Sequence, residues 1–135
     1  MKIIALSDSF YSDYENCAEI LKKSNRPYLC LLIKLYDKTF AIPVRHHIHH
    51  PYSFHTIDEA GLDYTKAVVI VKPEYILPDE VFIESKEWRI ISRNESKIRY
   101  DFEKYLHQYK RALNHKDNPR SERIVKYSAL QYFDF

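Results

Sequence analysis

Alternation and clustering of apolar positions divide the chain into a strand-rich first half and a helical second half. Tyr28-Leu-Cys-Leu-Leu-Ile-Lys-Leu-Tyr36 is an apolar, β-branched and aromatic run that predicts a strand. Thr39–Val44 returns as its partner across a turn at Asp37-Lys38, which lacks the glycine tight turns favour. Pro43 inside that second run argues for an edge strand or a bulge, because proline cannot donate to a ladder. Residues 2–6 predict a short strand, and Tyr64–Lys72 predicts one buried on both faces at the centre of the sheet. Between them, Pro51 to Asp63 predicts a loop, and Val81–Glu84 a further short strand.

Two stretches switch to helical spacing. Ser12-Asp-Tyr-Glu15 has the form of a capping box, with Cys17, Ile20 and Leu21 as the apolar stripe of a short helix ending near Ser24, before the breaker Asn25-Arg26-Pro27. Ser92-Arg-Asn-Glu95 has the same form. It opens a long helix to about Asn114, along which Ile98, Phe102, Tyr105, Leu106, Tyr109 and Leu113 recur every three or four positions. His115–Pro119 is a polar breaker, residues 120–127 predict another helix, and residues 129–133 a strand or docked tail. These parts assemble most simply as an α+β fold: a small curved antiparallel sheet with the long helix across it.

At 135 residues this is one domain, 1–135. Gly61 is the only glycine, which excludes every glycine-rich phosphate loop. Twelve tyrosines suit half-buried sheet positions, and some of them base stacking. Cys17 and Cys30 read as buried thiols in a reducing, cytoplasmic setting, and no apolar run reaches membrane-spanning length. The formal charge of +2 hides a polarity: nine Lys or Arg face four acids from Lys97 to Lys126, a side suited to a polyanion.

Five of the seven histidines fall between His46 and His55, next to Arg45 and flanking Pro51. Imidazole is the side chain whose ordinary pKa lies nearest neutrality, so the segment reads as the rim of a proton-exchanging site. A rival reading seats a metal on His46, His49, His50 and His55, but the segment holds no carboxylate and its prolines leave little room for a helix. No cofactor and no metal ligand are assigned.

The order Phe40-Ala-Ile-Pro-Val-Arg-His-His-Ile-His-His, Tyr52-Ser-Phe-His-Thr, Gly61-Leu-Asp-Tyr-Thr-Lys-Ala-Val-Val-Ile, then a basic helix and Leu130-Gln-Tyr-Phe, resembles the ToxN/AbiQ family, and looks closest to its TenpN-like branch. These are toxins of type III toxin–antitoxin systems. The resemblance implies an SH3-like barrel of the PemK/MazF kind and a metal-independent endoribonuclease of the cytoplasm with a role in phage defence. It implies cleavage of messenger RNA and of the protein's own repetitive antitoxin RNA. The pseudoknotted units of that RNA would close a hetero-oligomeric assembly around the toxin and block its site. Better-known members carry a Ser-containing turn where this chain has Arg45-His46-His47.

Such cleavage uses the RNA 2′-hydroxyl as nucleophile and needs a base, an acid and a fixed cation. On this reading Arg45 clamps the phosphate, His46 is the first candidate for acid or base, and His49 or His50 is its complement. His55 and Thr56 orient phosphate or base, and Lys66 is a second cation. His47, pointing to the other face of a continuing strand, is expected to support RNA contact with His49. Tyr28, Tyr52 and Tyr64 would stack or pack. Lys34, Arg99, Lys104, Lys110 and Arg111 would meet the backbone. A binding module without catalysis and a metal-dependent hydrolase are the alternatives.

Overall fold

The computed structural model describes residues 1–23, 25 and 28–135. The sheet is built on a hairpin of β2 (Leu29–Leu35) and β3 (Lys38–Arg45), in unbroken register from Cys30 opposite Pro43 to Leu35 opposite Lys38. Tyr36 and Asp37 make the turn, one residue earlier than expected, both with positive φ (53° and 60°). Two left-handed residues match the twist of the flanking strands, here without glycine. The Tyr36 hydroxyl lies 2.7 Å from Glu103 and 2.8 Å from the His107 ring, which ties the turn to the long helix.

β1 (Lys2–Ala5) pairs antiparallel with β2. On the far side of β3, β6 (Val68–Val69) pairs with Phe40 and Ala41, and β5 (Gly61–Asp63) with Val44 and Arg45. β4 (Ser53–His55) completes the order β1-β2-β3-β5-β4. Among the described residues every pairing is antiparallel, and β1 and β4 do not meet, so the sheet is open.

β3 is therefore central, neither edge nor bulged. Pro43 is tolerated because Ile42 and Pro43 fall in the gap between β6 and β5, where that side of the strand pairs with neither. The expected long central strand over Tyr64–Lys72 shrinks to Val68–Val69. Asp63 caps a 3-10 turn at Tyr64–Lys66 that diverts the chain before it can pair. The expected loop at 51–63 instead holds β4 and β5, and residues 81–84 form no strand.

The hairpin buries both faces. Leu31, Ile33, Phe40 and Ile42 enter one core with Ile98, Phe102, Tyr105, Leu106 and Tyr109 of the long helix. Cys30 and Ala41 point the other way, onto Phe10 of α1 (Asp8–Asp13) and onto Tyr75. α1 follows its N-cap Ser7 and ends at Asp13, so Ser12–Glu15 straddles its end rather than forming a capping box, and successive turns follow to Ile20. The expected helix end near Ser24, and Arg26 and Pro27 of the breaker, lie outside the described residues. The second capping box also fails. Ser92 lies inside α2 (Ser85–Arg93), where its hydroxyl donates to the Arg89 carbonyl, and α3 (Glu95–Leu113) begins after Asn94. α4 (Pro119–Lys126) is capped by Asn118, whose Oδ1 accepts from the amides of Arg120 (2.9 Å) and Ser121 (3.4 Å), with Pro119 pre-set for the first turn. The expected tail is a 3-10 turn, Ala129–Tyr132, whose Ala129 and Leu130 are wholly buried. No described helix is long and apolar enough to cross a membrane.

Candidate functional site

Arg45 ends β3 beside Gly61, and two residues beyond Gly61 lies Asp63, whose side chain is 0% exposed. A carboxylate without water must be fully partnered. Arg45 Nη1 donates to Asp63 Oδ2 at 2.8 Å. The amide and hydroxyl of Thr65 donate to Oδ1 at 3.0 and 2.6 Å, an Asx turn that bends the chain into the 3-10 turn. His50 Nε2 stands 3.1 Å from the same oxygen, off the axis of a well-aligned hydrogen bond. Burial alone would push the Asp63 carboxyl up. The donors on His50, Thr65 and Arg45 outweigh burial and pull it down to about 2.

Among the described residues the His50 ring is hydrogen-bonded at Nδ1 alone. The Tyr52 amide donates to Nδ1 at 3.1 Å, so Nδ1 is the acceptor and the proton of the neutral ring sits on Nε2, facing Asp63.

Around this hub lies a cleft of about 510 Å³. It is lined by Arg45, His50 and Lys66, by Tyr52 and Tyr105, and by Arg120 and Arg123 of α4. Lys66 donates to Glu19 at 2.8 Å and to the Tyr127 carbonyl at 3.0 Å, tying the first turns of the chain to the end of α4. Arg120 and Arg123 are exposed and make no ion pair among the described residues. Four cationic side chains therefore meet two carboxylates, Asp63 and Glu19, each already paired. Two adjoining clefts, of about 490 and 340 Å³, share Tyr52 and Arg120 with the first; Arg111 and His115 line one, Lys104 and Tyr64 the other. The arrangement suits a flexible polyanion with planar groups: guanidinium forks for phosphate, the half-buried Tyr52 and the exposed Tyr127 for bases.

The histidine segment is split. Arg45 and His50 face the cleft, whereas His46 and His47 line a separate one of about 470 Å³ with Glu59, Glu84 and Glu87. The alternation that put His46 and His47 on opposite faces fails because β3 stops at Arg45 and His47 turns left-handed, φ 59°. His49 is exposed near Glu59. His55 is exposed at the end of β4, and the Thr56 amide bonds the Ala60 carbonyl; neither lines these clefts.

Of the expected RNA contacts, Tyr52, Tyr64, Lys104 and Arg111 lie on the joined clefts, although Tyr64 is buried against Phe102 and Tyr105. Tyr28 lines an apolar recess with Phe10 and Tyr11. Lys34 is exposed on β2, where its carbonyl accepts from Arg99 at 3.1 Å, and Lys110 sits 4.8 Å above the Phe135 ring. None of these four lines the cleft or the two that adjoin it, although Lys66 lines both the cleft and the Tyr28 recess. Asp63 and Thr65 were not among the expected site residues. The available signal was a lone carboxylate between apolar residues, followed two positions on by threonine.

Comparison with protein-family models, with curated proteins and with solved structures finds no match to this chain.

Proposed function

We propose that the chain binds single-stranded RNA along the joined clefts and cleaves it without a metal ion, as an endoribonuclease of the toxin kind that the sequence resembles. The observation that carries this reading is the surplus of cationic side chains around Arg45, with tyrosines beside them. Arg45, already oriented by Asp63, offers its remaining donors to a phosphoryl oxygen, and Arg120 and Arg123 take the neighbouring phosphates. The 2′-oxygen attacks phosphorus and its proton passes to solvent. The bond to the 5′-oxygen breaks, and His50 in its imidazolium form, swung away from both Asp63 and the Tyr52 amide, gives that oxygen its Nε2 proton and is left as the neutral ring. The products are a 2′,3′-cyclic phosphate and a 5′-hydroxyl. The finer parts of the reading belong to the same proposal: a PemK/MazF-like barrel ancestry for the sheet, a repetitive antitoxin RNA as inhibitor, and a closed assembly with it.

One observation favours a second reading, a binding module without catalysis: His50 Nδ1 accepts from the Tyr52 amide and Nε2 is buried against Asp63, so neither nitrogen of the resting ring is open to an RNA oxygen. Incubation of purified protein with short RNAs in EDTA, followed by end-group analysis, separates the two. Cyclic-phosphate ends that disappear in His50→Gln, with RNA affinity kept, support cleavage. Intact RNA with tight binding establishes the module instead, and absence of both removes the RNA reading.

A further inference from the structure

We propose that His47, His49 and Glu59 form a binding site for a borderline divalent transition-metal ion such as Zn²⁺, separate from the cleft and independent of the cleavage reading. The three side chains present one donor atom each, all within 4.8 Å of one another. His47 Nδ1 lies 3.1 Å and His49 Nε2 3.8 Å from the same carboxylate oxygen, Glu59 Oε2. Two ligands about 2.05 Å from a tetrahedral ion stand roughly 3.3 Å apart, so the two distances bracket the spacing such an ion requires. Two imidazoles and one carboxylate suit zinc, nickel or copper, whereas magnesium and calcium prefer oxygen alone.

The backbone brings these residues together by means other than the side chains themselves. His47 has φ 59° and Asp58 φ 52°, sparsely populated conformations that histidine and aspartate tolerate better than most residues. Between the histidines, Ile48 is buried and its amide donates to the Glu59 carbonyl at 3.0 Å, which fastens the loop after β3 to the β4–β5 turn. The adjoining cleft is lined by Glu84 and Glu87, so carboxylates surround the approach of a cation. All three donors are open to solvent, leaving a fourth position for water.

Zinc titration against a chromogenic chelator tests the site, with differential scanning of unfolding as the second readout. The wild-type protein is expected to take up one equivalent and to unfold at a higher temperature with zinc than without. H49A and E59Q should each lose more than the roughly tenfold in affinity that removal of even an outer partner of a metal ligand costs. H47A/H49A should lose both the uptake and the thermal shift, and H46A should keep both. Bound Co²⁺ should show no thiolate charge-transfer band, because Cys17 and Cys30 are not ligands. A wild-type protein that binds no zinc, or uptake undiminished in H47A/H49A, would overturn the proposal. Should that double variant fail to fold, E59Q and H49A decide it alone.

Discussion

Asp63 is the residue on which fold and cleft both depend. Its folded carboxyl titrates at about 2, below the ordinary carboxylate range, so it contributes stability above roughly pH 4 that is lost as pH falls toward 2. The contribution is about 2 kcal/mol, and denaturant unfolding between pH 5 and 2 should show it. Asp63→Asn should flatten that part of the profile and lower stability at neutral pH, where a full profile retained in the variant would assign the acid loss to other groups. At this scale the sequence revealed which residue types matter better than where they point. Arg45, His50 and Lys66 do meet, because the strand end and the turn after Asp63 bring them together. His46 and His55 do not: β3 stops at Arg45, just before His46, and His55 ends the three-residue β4, and neither strand end leaves a mark in periodicity.

Among the elements, the hairpin and the β4–β5 pair carry opposite lessons about glycine. Asp37 holds a left-handed turn position that glycine fills at lower cost, so Asp37→Gly should raise stability by about 0.5–1 kcal/mol, read from the denaturant midpoint. Tyr36 should be kept, as its hydroxyl holds Glu103 and His107. Gly61 needs no unusual φ; it needs space. An added Cβ there would collide with the Phe54 carbonyl and lie 2.9 Å from His55 Cα, both backbone of the paired strand. Gly61→Ala should therefore cost about 1–3 kcal/mol, seen as a fall in Tm of roughly 4 °C for each kcal/mol in a chain of this size. The β2–β3 hairpin and the buried face of α3 were legible because continuous apolar runs and a three-to-four spacing encode them locally. The short strands β4, β5 and β6 were not, since two or three residues pair only where the rest of the sheet offers an edge.

For the whole molecule, the near-neutral total conceals two regions of unlike sign: arginines and lysine about Tyr52, and carboxylates about His46 and His47. Arg120→Gln and Arg123→Gln should each weaken RNA binding and lower the slope of log affinity against log salt by about one contact, whereas Lys34→Gln should leave both unchanged. Filter binding across a salt series would show this, and an equal response from Lys34 would mean that charge is sensed globally rather than in the cleft. The double service of the Asp63–Arg45 pair also bears on how such a chain drifts over generations. Selection for a stable fold alone would retain that pair, whatever the cleft is used for. Arg120 and Arg123, which form no ion pair among the described residues, are free to vary unless a ligand holds them, so among descendants of a common ancestor their persistence would record use of the groove, and their replacement its abandonment.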